Sequence, residues 1–388
     1  MRRVRLGMVG GGEGAFIGAV HRMAARLDDR YELLAGALSS DPQRAAASAA
    51  AIGLPRSYDD YREMARVEAS RADGIEAVAI VTPNHLHAPI ATAFLEAGIH
   101  VICDKPLAVS LDEGEALAKL AREKNRVFAV TYTYTGYPLV RHARALVRSG
   151  ALGDIRVVQV EYAQDWLSMP VETQANRQAA WRTDPALAGP AGCLGDIGTH
   201  AYQLAEYVTG MRPSALSAEV TTFVPGRRVD DHVQAMLRYA NGARGMLWAS
   251  QVAAGEENAL RLRVYGTKAG LMFDQQAPNE LWFTPVGGAS QRITRGRVQS
   301  AEAQHATRVP AGHPEGYIEA FAQVYADAAG CIARGNIQGD EWLTTVEDGV
   351  AGLRFVEGVL RSSAGRGSGW GWGRGGTGTC QISCVPRS

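Results

Sequence analysis

Val4-Arg5-Leu6-Gly7-Met8-Val9-Gly10-Gly11-Gly12-Glu13-Gly14-Ala15 is the stretch on which the fold turns. A short apolar strand, Val4 to Val9, runs straight into glycines, and Ala19 to Leu27 beyond them has helical spacing. Gly10, Gly12 and Ala15 fit G-x-G-x-x-A between a strand and a helix, the context in which that motif marks a dinucleotide site. A tight turn and a bare backbone there let a pyrophosphate settle on the helix N-terminus. Gly18 offers a competing third position, which would make the loop a longer variant. An acidic residue at the end of the second strand, Glu32 to Leu38, normally holds the adenosine ribose. This chain has Ser39 there, with Arg44 a helical turn beyond to suit a 2′-phosphate, so the cofactor is read as NAD or NADP.

Outward from that loop, strands and helices alternate. Asp41-Pro42 opens a helix over Arg44 to Ile52, since Asp offers a capping oxygen and Pro is tolerated at the first helical position. Strands at Ala77 to Val81, His100 to Cys103 and Val127 to Thr131 enclose helices at Ala88 to Ala97 and Leu111 to Lys124. This order predicts βαβ units and a parallel sheet. After Thr131 the strands lengthen and alternate in and out, at Ile155 to Tyr162, Ala218 to Phe223, His232 to Tyr239, Ala243 to Val252 and Arg261 to Tyr265, with Asn241-Gly242 as a hairpin turn. Such alternation fits an antiparallel sheet covered on one face. Helices are expected at Leu139 to Arg148, His200 to Val208, Tyr317 to Arg334 and Thr345 to Ser362. The expected organisation is a dinucleotide-binding α/β domain over 1–131, an α+β substrate and oligomerisation domain over 132–363, and a disordered glycine-rich tail over 364–388, too rich in glycine to hold helix or strand.

Composition narrows the partners. The 388 residues carry 40 Lys and Arg against 40 Asp and Glu, which leaves no bulk basic surface for nucleic acid and no polybasic membrane patch. No apolar run approaches the about 20 residues of a membrane span. The N-terminus breaks into glycines before an apolar signal core can form, so a cytoplasmic chain is expected. The cysteines, Cys103, Cys193, Cys331, Cys380 and Cys384, are odd in number and lack a C-x-x-C spacing, so neither a disulfide framework nor a metal site is expected.

Two loops follow strand C-termini, where open α/β sheets bind ligands: Thr82-Pro83-Asn84-His85-Leu86-His87 and Cys103-Asp104-Lys105-Pro106. A third motif lies in the second half, Gly192-Cys193-Leu194-Gly195-Asp196-Ile197-Gly198-Thr199-His200. Together they resemble the Gfo/Idh/MocA oxidoreductase family over about residues 1 to 363. Asp104-Lys105-Pro106 stands for the family's Glu-Lys-Pro; Thr82, Pro83, Asn84 and His87 match its Thr-Pro-Asn-x-x-His; Asp196 and His200 match its Asp-x-x-x-His. The resemblance implies a Rossmann domain followed by an α+β domain with a large, mostly antiparallel open sheet that builds homodimers or homotetramers. It also implies that Thr82, Pro83, Asn84, His87, Asp104, Lys105, Trp181 and Arg182 face the cofactor. The chain departs from the family at Asp104, one methylene short, and in the missing acid of the second strand.

The chemistry of the set points the same way. Asp196 and His200, four apart on a helix, project from one face, and a carboxylate beside an imidazole orients the ring and favours its protonated form. His200 is expected to take a hydroxyl proton and Lys105 to stabilise the developing alkoxide, with Asp196 holding His200 or the substrate. Lys105, Tyr134, Arg182, Asp196 and His200 are the candidate substrate contacts. Tyr137, Tyr162, Trp166, Asp230, Asp231 and the run His313-Pro314-Glu315-Gly316-Tyr317 are further pocket candidates. The expected reaction is NAD(P)-dependent oxidation of a sugar, cyclitol or related polyol. The alternatives are a redox-neutral enzyme that retains its nicotinamide and, in a different class, a ligand-sensing regulator, a reading that predicts loss of the Lys, Asp and His set, whereas Lys105, Asp196 and His200 are all present.

Overall fold

The computed structural model describes residues 2–174, 176–336, 339–365 and 370–371. Most of the tail assigned to 364–388 therefore lies outside the described residues, Cys380 and Cys384 with it.

The first sheet is wholly parallel, in the order β3-β2-β1-β4-β5-β6. Its strands are β1 (Val4–Gly10), β2 (Tyr31–Ala37), β3 (Arg56–Ser57), β4 (Ala77–Val81), β5 (His100–Cys103) and β6 (Phe128–Val130). Every residue of β4 is buried, as a central strand covered on both faces must be. Helix starts follow capping chemistry: the Asp41, Asp60 and Ser110 side chains accept the amides of Arg44, Glu63 and Glu113. Strand order reverses between β1 and its neighbours β2 and β4, which opens a crevice at their C-terminal ends. β2 sits one residue earlier than its pattern suggested, so Leu38 and Ser39 belong to the loop at that crevice.

The second sheet runs β14-β13-β12-β11-β7-β10-β9-β8. It comprises β7 (Ile155–Ala163), β8 (Pro213–Thr221), β9 (His232–Tyr239), β10 (Arg244–Ser250), β11 (Ala259–Gly266), β12 (Ala269–Asp274), β13 (Glu280–Pro285) and β14 (Gln291–Thr294). Only the β7–β10 pair is parallel within these strands. The Asn241-Gly242 turn joins β9 and β10, with Gly242 at φ +88°. A two-residue strand, Trp370–Gly371, pairs antiparallel with β8. That differs from the expectation that the tail holds no strand; an unpaired edge needs only backbone from its partner.

One face of this sheet is covered by the helices Pro138–Arg148 and Thr199–Thr209, whose apolar sides share a core with β7 to β12. The chain then returns to the first sheet. The helix Tyr317–Arg334 lays Phe321, Val324 and Tyr325 against Val20, Ala24 and Tyr31. The segment before the helix Val346–Ala364 runs beside β6, where the Val130 amide donates to the Thr344 carbonyl at 2.9 Å. Arg141 and Asp327, both buried, form an ion pair between two of these helices. The Arg141 Nε donates to the Thr135 carbonyl at 3.0 Å, which ties the turn carrying Tyr134 to that pair.

Candidate active site

At the C-terminal end of β1, Gly10 and Gly11 both adopt φ near +75°, at +79° and +71°. A Cβ on Gly12 would stand 2.7 Å from the Leu38 carbonyl oxygen and 2.9 Å from Ser48 Oγ. The Ser48 hydroxyl accepts the Glu13 amide at 3.1 Å, a support that no motif announces. Ala15 caps the helix that starts at Phe16, whereas a Cβ on Gly18 would lie 2.4 Å from Gly11 backbone atoms. The close helix-to-loop approach therefore belongs to Gly18 and not to Ala15, because the loop is longer than the motif assumes. Beside it lies a cavity of about 500 Å³, lined by Gly11, Gly12, Gly14, Ala15 and Arg22 on one side and Leu38 and Ser48 on the other. Open backbone and a helix N-terminus facing a cleft of that size fit a dinucleotide pyrophosphate. Ser39 accepts the Asp41 amide at 3.1 Å, and Arg44 is exposed beside Asp41.

Lys105 follows β5, and its ammonium donates to the Asp196 carbonyl at 2.6 Å and to Asp196 Oδ1 at 2.7 Å. Asp196 lies in a π-helical turn, Leu194–Gly198, that runs directly into the helix Thr199–Thr209. Its second oxygen accepts Gln251 Nε2 at 2.9 Å and faces Arg182 Nε at 3.7 Å. Burial alone would raise this carboxyl, but Lys105, Arg182 and Gln251 together hold it well below the usual carboxylate range. The carboxylate thus orients Lys105, not His200 as the helical spacing suggested.

His200 is buried against the rings of Tyr132, Tyr134 and Tyr162, at centroid distances of 5.7, 4.9 and 6.2 Å. Burial, and next the Lys105 charge, push its ring well below the ordinary imidazole range despite Asp196. The expected protonated form is therefore the disfavoured one, and the neutral ring is favoured. Beyond it a polar chain runs along the sheet. The Tyr134 and Tyr162 hydroxyls bond each other; Tyr162 donates to Asn258 Oδ1 at 2.7 Å; Gln164 Nε2 donates to the same oxygen at 2.7 Å. Gln164 Oε1 in turn accepts Trp166 Nε1 at 3.0 Å and Gln251 Nε2 at 3.3 Å. Sequence reasoning missed Gln164, Gln251 and Asn258, which carry no motif spacing.

Several expected cofactor contacts point elsewhere. His87 is buried, with Nδ1 2.7 Å from the Pro106 carbonyl and Nε2 2.9 Å from the Thr82 carbonyl, so its side chain clamps one loop to the other. Asn84 donates to the Ala188 carbonyl at 2.9 Å, which joins the Thr82-Pro83-Asn84 loop to the second half of the chain. Asp104 accepts the Lys105 amide at 3.0 Å and the Thr131 hydroxyl at 2.8 Å, and its other oxygen faces His21 at 3.9 Å. It supports Lys105 from behind. Arg182 lies over the Trp181 ring at 4.2 Å and, with Asn84, Asp196 and Gln251, lines a narrow crevice between the two sheets' loops.

The remaining pocket candidates make other contacts. Asp230 accepts the Gly192 and Leu194 amides, each at 2.7 Å, and so fixes the turn that carries Asp196. Asp231 accepts the Phe223 and Val224 amides and pairs with Arg227. The Tyr137 hydroxyl meets Gln275, Glu315 is buried beside Arg295, His313 is exposed, and Tyr317 packs on Phe321. Cys103, Cys193 and Cys331 are buried thiols. Among the described residues no helix is long and apolar enough to cross a membrane.

Known proteins resemble this chain in sequence and fold. The model of an oxidoreductase family with an NAD-binding Rossmann fold, GFO/IDH/MocA, matches residues 4–132, and that of the GFO/IDH/MocA C-terminal domain matches residues 140–272. An uncharacterized oxidoreductase, YfiI, of Bacillus subtilis (strain 168) is 35% identical over 371 residues, 93% of this chain and 94% of its own. Levoglucosan dehydrogenase of Pseudarthrobacter phenanthrenivorans is 33% identical over 311 residues, 72% of this chain and 76% of its own. An inositol dehydrogenase homolog from Azotobacter vinelandii complexed with NAD+ matches with a TM-score of 0.91 at 38% identity, over 96% of this chain and 98% of that one. Its complex with NADH and myo-inositol matches at 0.88 and 37%, with the same coverage.

Proposed function

From a chain that belongs to the Gfo/Idh/MocA family of NAD-binding oxidoreductases, we propose a dehydrogenase that oxidises a secondary alcohol on a ring-shaped polyol, a sugar or a cyclitol, with NAD or NADP. The relatives support the substrate class: one is a levoglucosan dehydrogenase, and another is an inositol dehydrogenase homolog complexed with myo-inositol. The observation that carries the proposal is the Lys105 ammonium, fixed at 2.6 Å to the Asp196 backbone carbonyl and at 2.7 Å to Asp196 Oδ1. An ammonium has three N–H groups, and two are engaged there, so one is left for a substrate oxygen.

A nicotinamide dinucleotide, when bound in the cradle, would supply the hydride acceptor. Lys105 donates to the reacting hydroxyl and stabilises negative charge as it develops on that oxygen. His200, held neutral by burial, accepts the hydroxyl proton. Asp196 keeps Lys105 in place and offsets its charge, and Arg182 adds a second cation at the mouth of the site. Tyr134 packs on His200, and its hydroxyl oxygen, which donates its proton to Tyr162, can accept from a neighbouring substrate hydroxyl. The same proposal includes a homodimer or homotetramer built through the face of the second sheet opposite the helices Pro138–Arg148 and Thr199–Thr209.

A panel of cyclitols, sugars and anhydrosugars, assayed with NAD and NADP in parallel by nicotinamide absorbance, identifies substrate and cofactor. His200→Ala should then lower kcat by about 10²–10⁴-fold with cofactor affinity kept. A variant that turns over like the wild type would remove His200 from the chemistry.

A further inference from the structure

Arg22 lies on the helix Phe16–Leu27, and helical side chains lean towards the N-terminal end of their helix, here the glycine loop. Its Nη1 donates to the Gly11 carbonyl at 2.7 Å and lies 3.8 Å from Met8 Sδ, and the residue lines the 500 Å³ cavity. Gly11 sits at φ +71°, and because the peptide that follows is planar, anchoring its carbonyl also fixes which way the Gly12 N–H points. The guanidinium thus sets the direction of a loop amide.

Its electrostatic setting is unusual. Among the described residues Arg22 has no acidic partner, and its other two nitrogens donate to none of them. Partial burial, and then the like charge of Arg26, pull its pKa below the ordinary arginine value. A half-buried cation whose charged neighbour is another cation is disfavoured by its protein surroundings alone. An anion placed in the cavity relieves it.

We propose that Arg22 is a phosphate-binding residue of this cradle, supplying the positive charge and planar donor fork that meet the pyrophosphate of the dinucleotide. The inference rests on the cradle's holding a dinucleotide. Guanidinium suits phosphate oxygens better than an ammonium does, because its N–H groups form a rigid fork and remain charged when partly desolvated. The glycine amides and helix N-terminus contribute partial charges only, and Arg22 adds the full one.

The test compares the wild type, Arg22→Gln and Arg22→Lys by titration with NADH, followed by fluorescence, and with ADP and adenosine as competitors. Gln retains a donor for the Gly11 carbonyl and removes the charge. Arg22→Gln should weaken NADH and ADP by about 10-fold or more, leave adenosine within about twofold, and flatten the salt dependence of NADH binding. Arg22→Lys should fall between the two. Equal weakening of all three ligands would make Arg22 a loop brace and overturn the proposal, as would unchanged NADH and ADP affinity in Arg22→Gln. A wild type that binds adenosine and ADP but neither NADH nor NADPH would overturn the dinucleotide reading itself.

Discussion

At the scale of single residues, the partner of Asp196 matters more than its spacing. Four residues separate it from His200, and that spacing suggested an imidazole oriented and charged by a carboxylate. Lys105, 91 positions away, takes the carboxylate at 2.7 Å, and His200 is left among tyrosine rings. Lowering the pKa of a base extends its neutral, proton-accepting form to more acid pH. Alcohol oxidation should therefore keep its kcat/KM through pH 6.5 and lose it only further into acid. Lys105→Met removes the cation that depresses His200, so its residual activity, about 10²–10³-fold lower, should show an acid limb moved to higher pH. A wild-type limb at or above pH 6.5 would contradict a neutral, buried His200. The residues of these motifs were legible because each sits in a short fixed pattern. Gln251, Asn258, His21 and Ser48 were not, since each touches the site through a contact across the chain that no local spacing records.

At the scale of elements, the Leu194–Gly198 turn is held by a buried acid on a different segment. Asp230 accepts two amides of the turn, and its own carbonyl accepts the Cys193 amide at 2.9 Å. Burial pushes its carboxyl up to about 6, against the counter-effect of the Leu194 and Gly192 amides. A carboxyl whose folded pKa exceeds its unfolded value of about 3.9 favours the folded state when protonated. Its stabilising contribution is full below pH 3.9 and is lost as pH rises through 6. Asn at this position does not titrate. The Tm of the wild type minus that of Asp230→Asn should therefore widen as pH is lowered from 8 to 5; a gap that narrows would show that the carboxyl is not raised. The alternating strands β7 to β11 were legible because one covered face forces a period of two, whereas the strands between Ala269 and Thr294 mix glycine, proline and polar residues and escaped notice.

At the scale of the molecule, the second sheet has one face under helices and one that, among the described residues, no helix covers. Across that outer face runs a row of opposed residues, Met236, Met246, Gln159, Arg263, Met272 and Trp282. At strand spacing the row spans about 24 Å. Met236 and Met246, directly opposite each other, are 65% and 49% exposed, and Trp282 is 39% exposed. Scattered apolar residues need no explanation, but Met236 and Met246 form an exposed apolar pair at one end of the row and Met272 and Trp282 a less exposed pair at the other, with Gln159 and Arg263 between them, a pattern that suits association. A face that pairs with its own copy about a two-fold axis places each residue near its symmetry mate's neighbourhood, so a charge added at the centre is repeated across the interface. Light scattering of the wild type should give twice 41.4 kDa or more. The double substitution Met236→Glu, Met246→Glu should give the single-chain mass with an unchanged far-ultraviolet circular dichroism spectrum, because both side chains face away from the core that β9 and β10 share with the helices. A wild type of single-chain mass at micromolar concentration would refute association through this face, and a double variant that stays oligomeric would move the interface elsewhere.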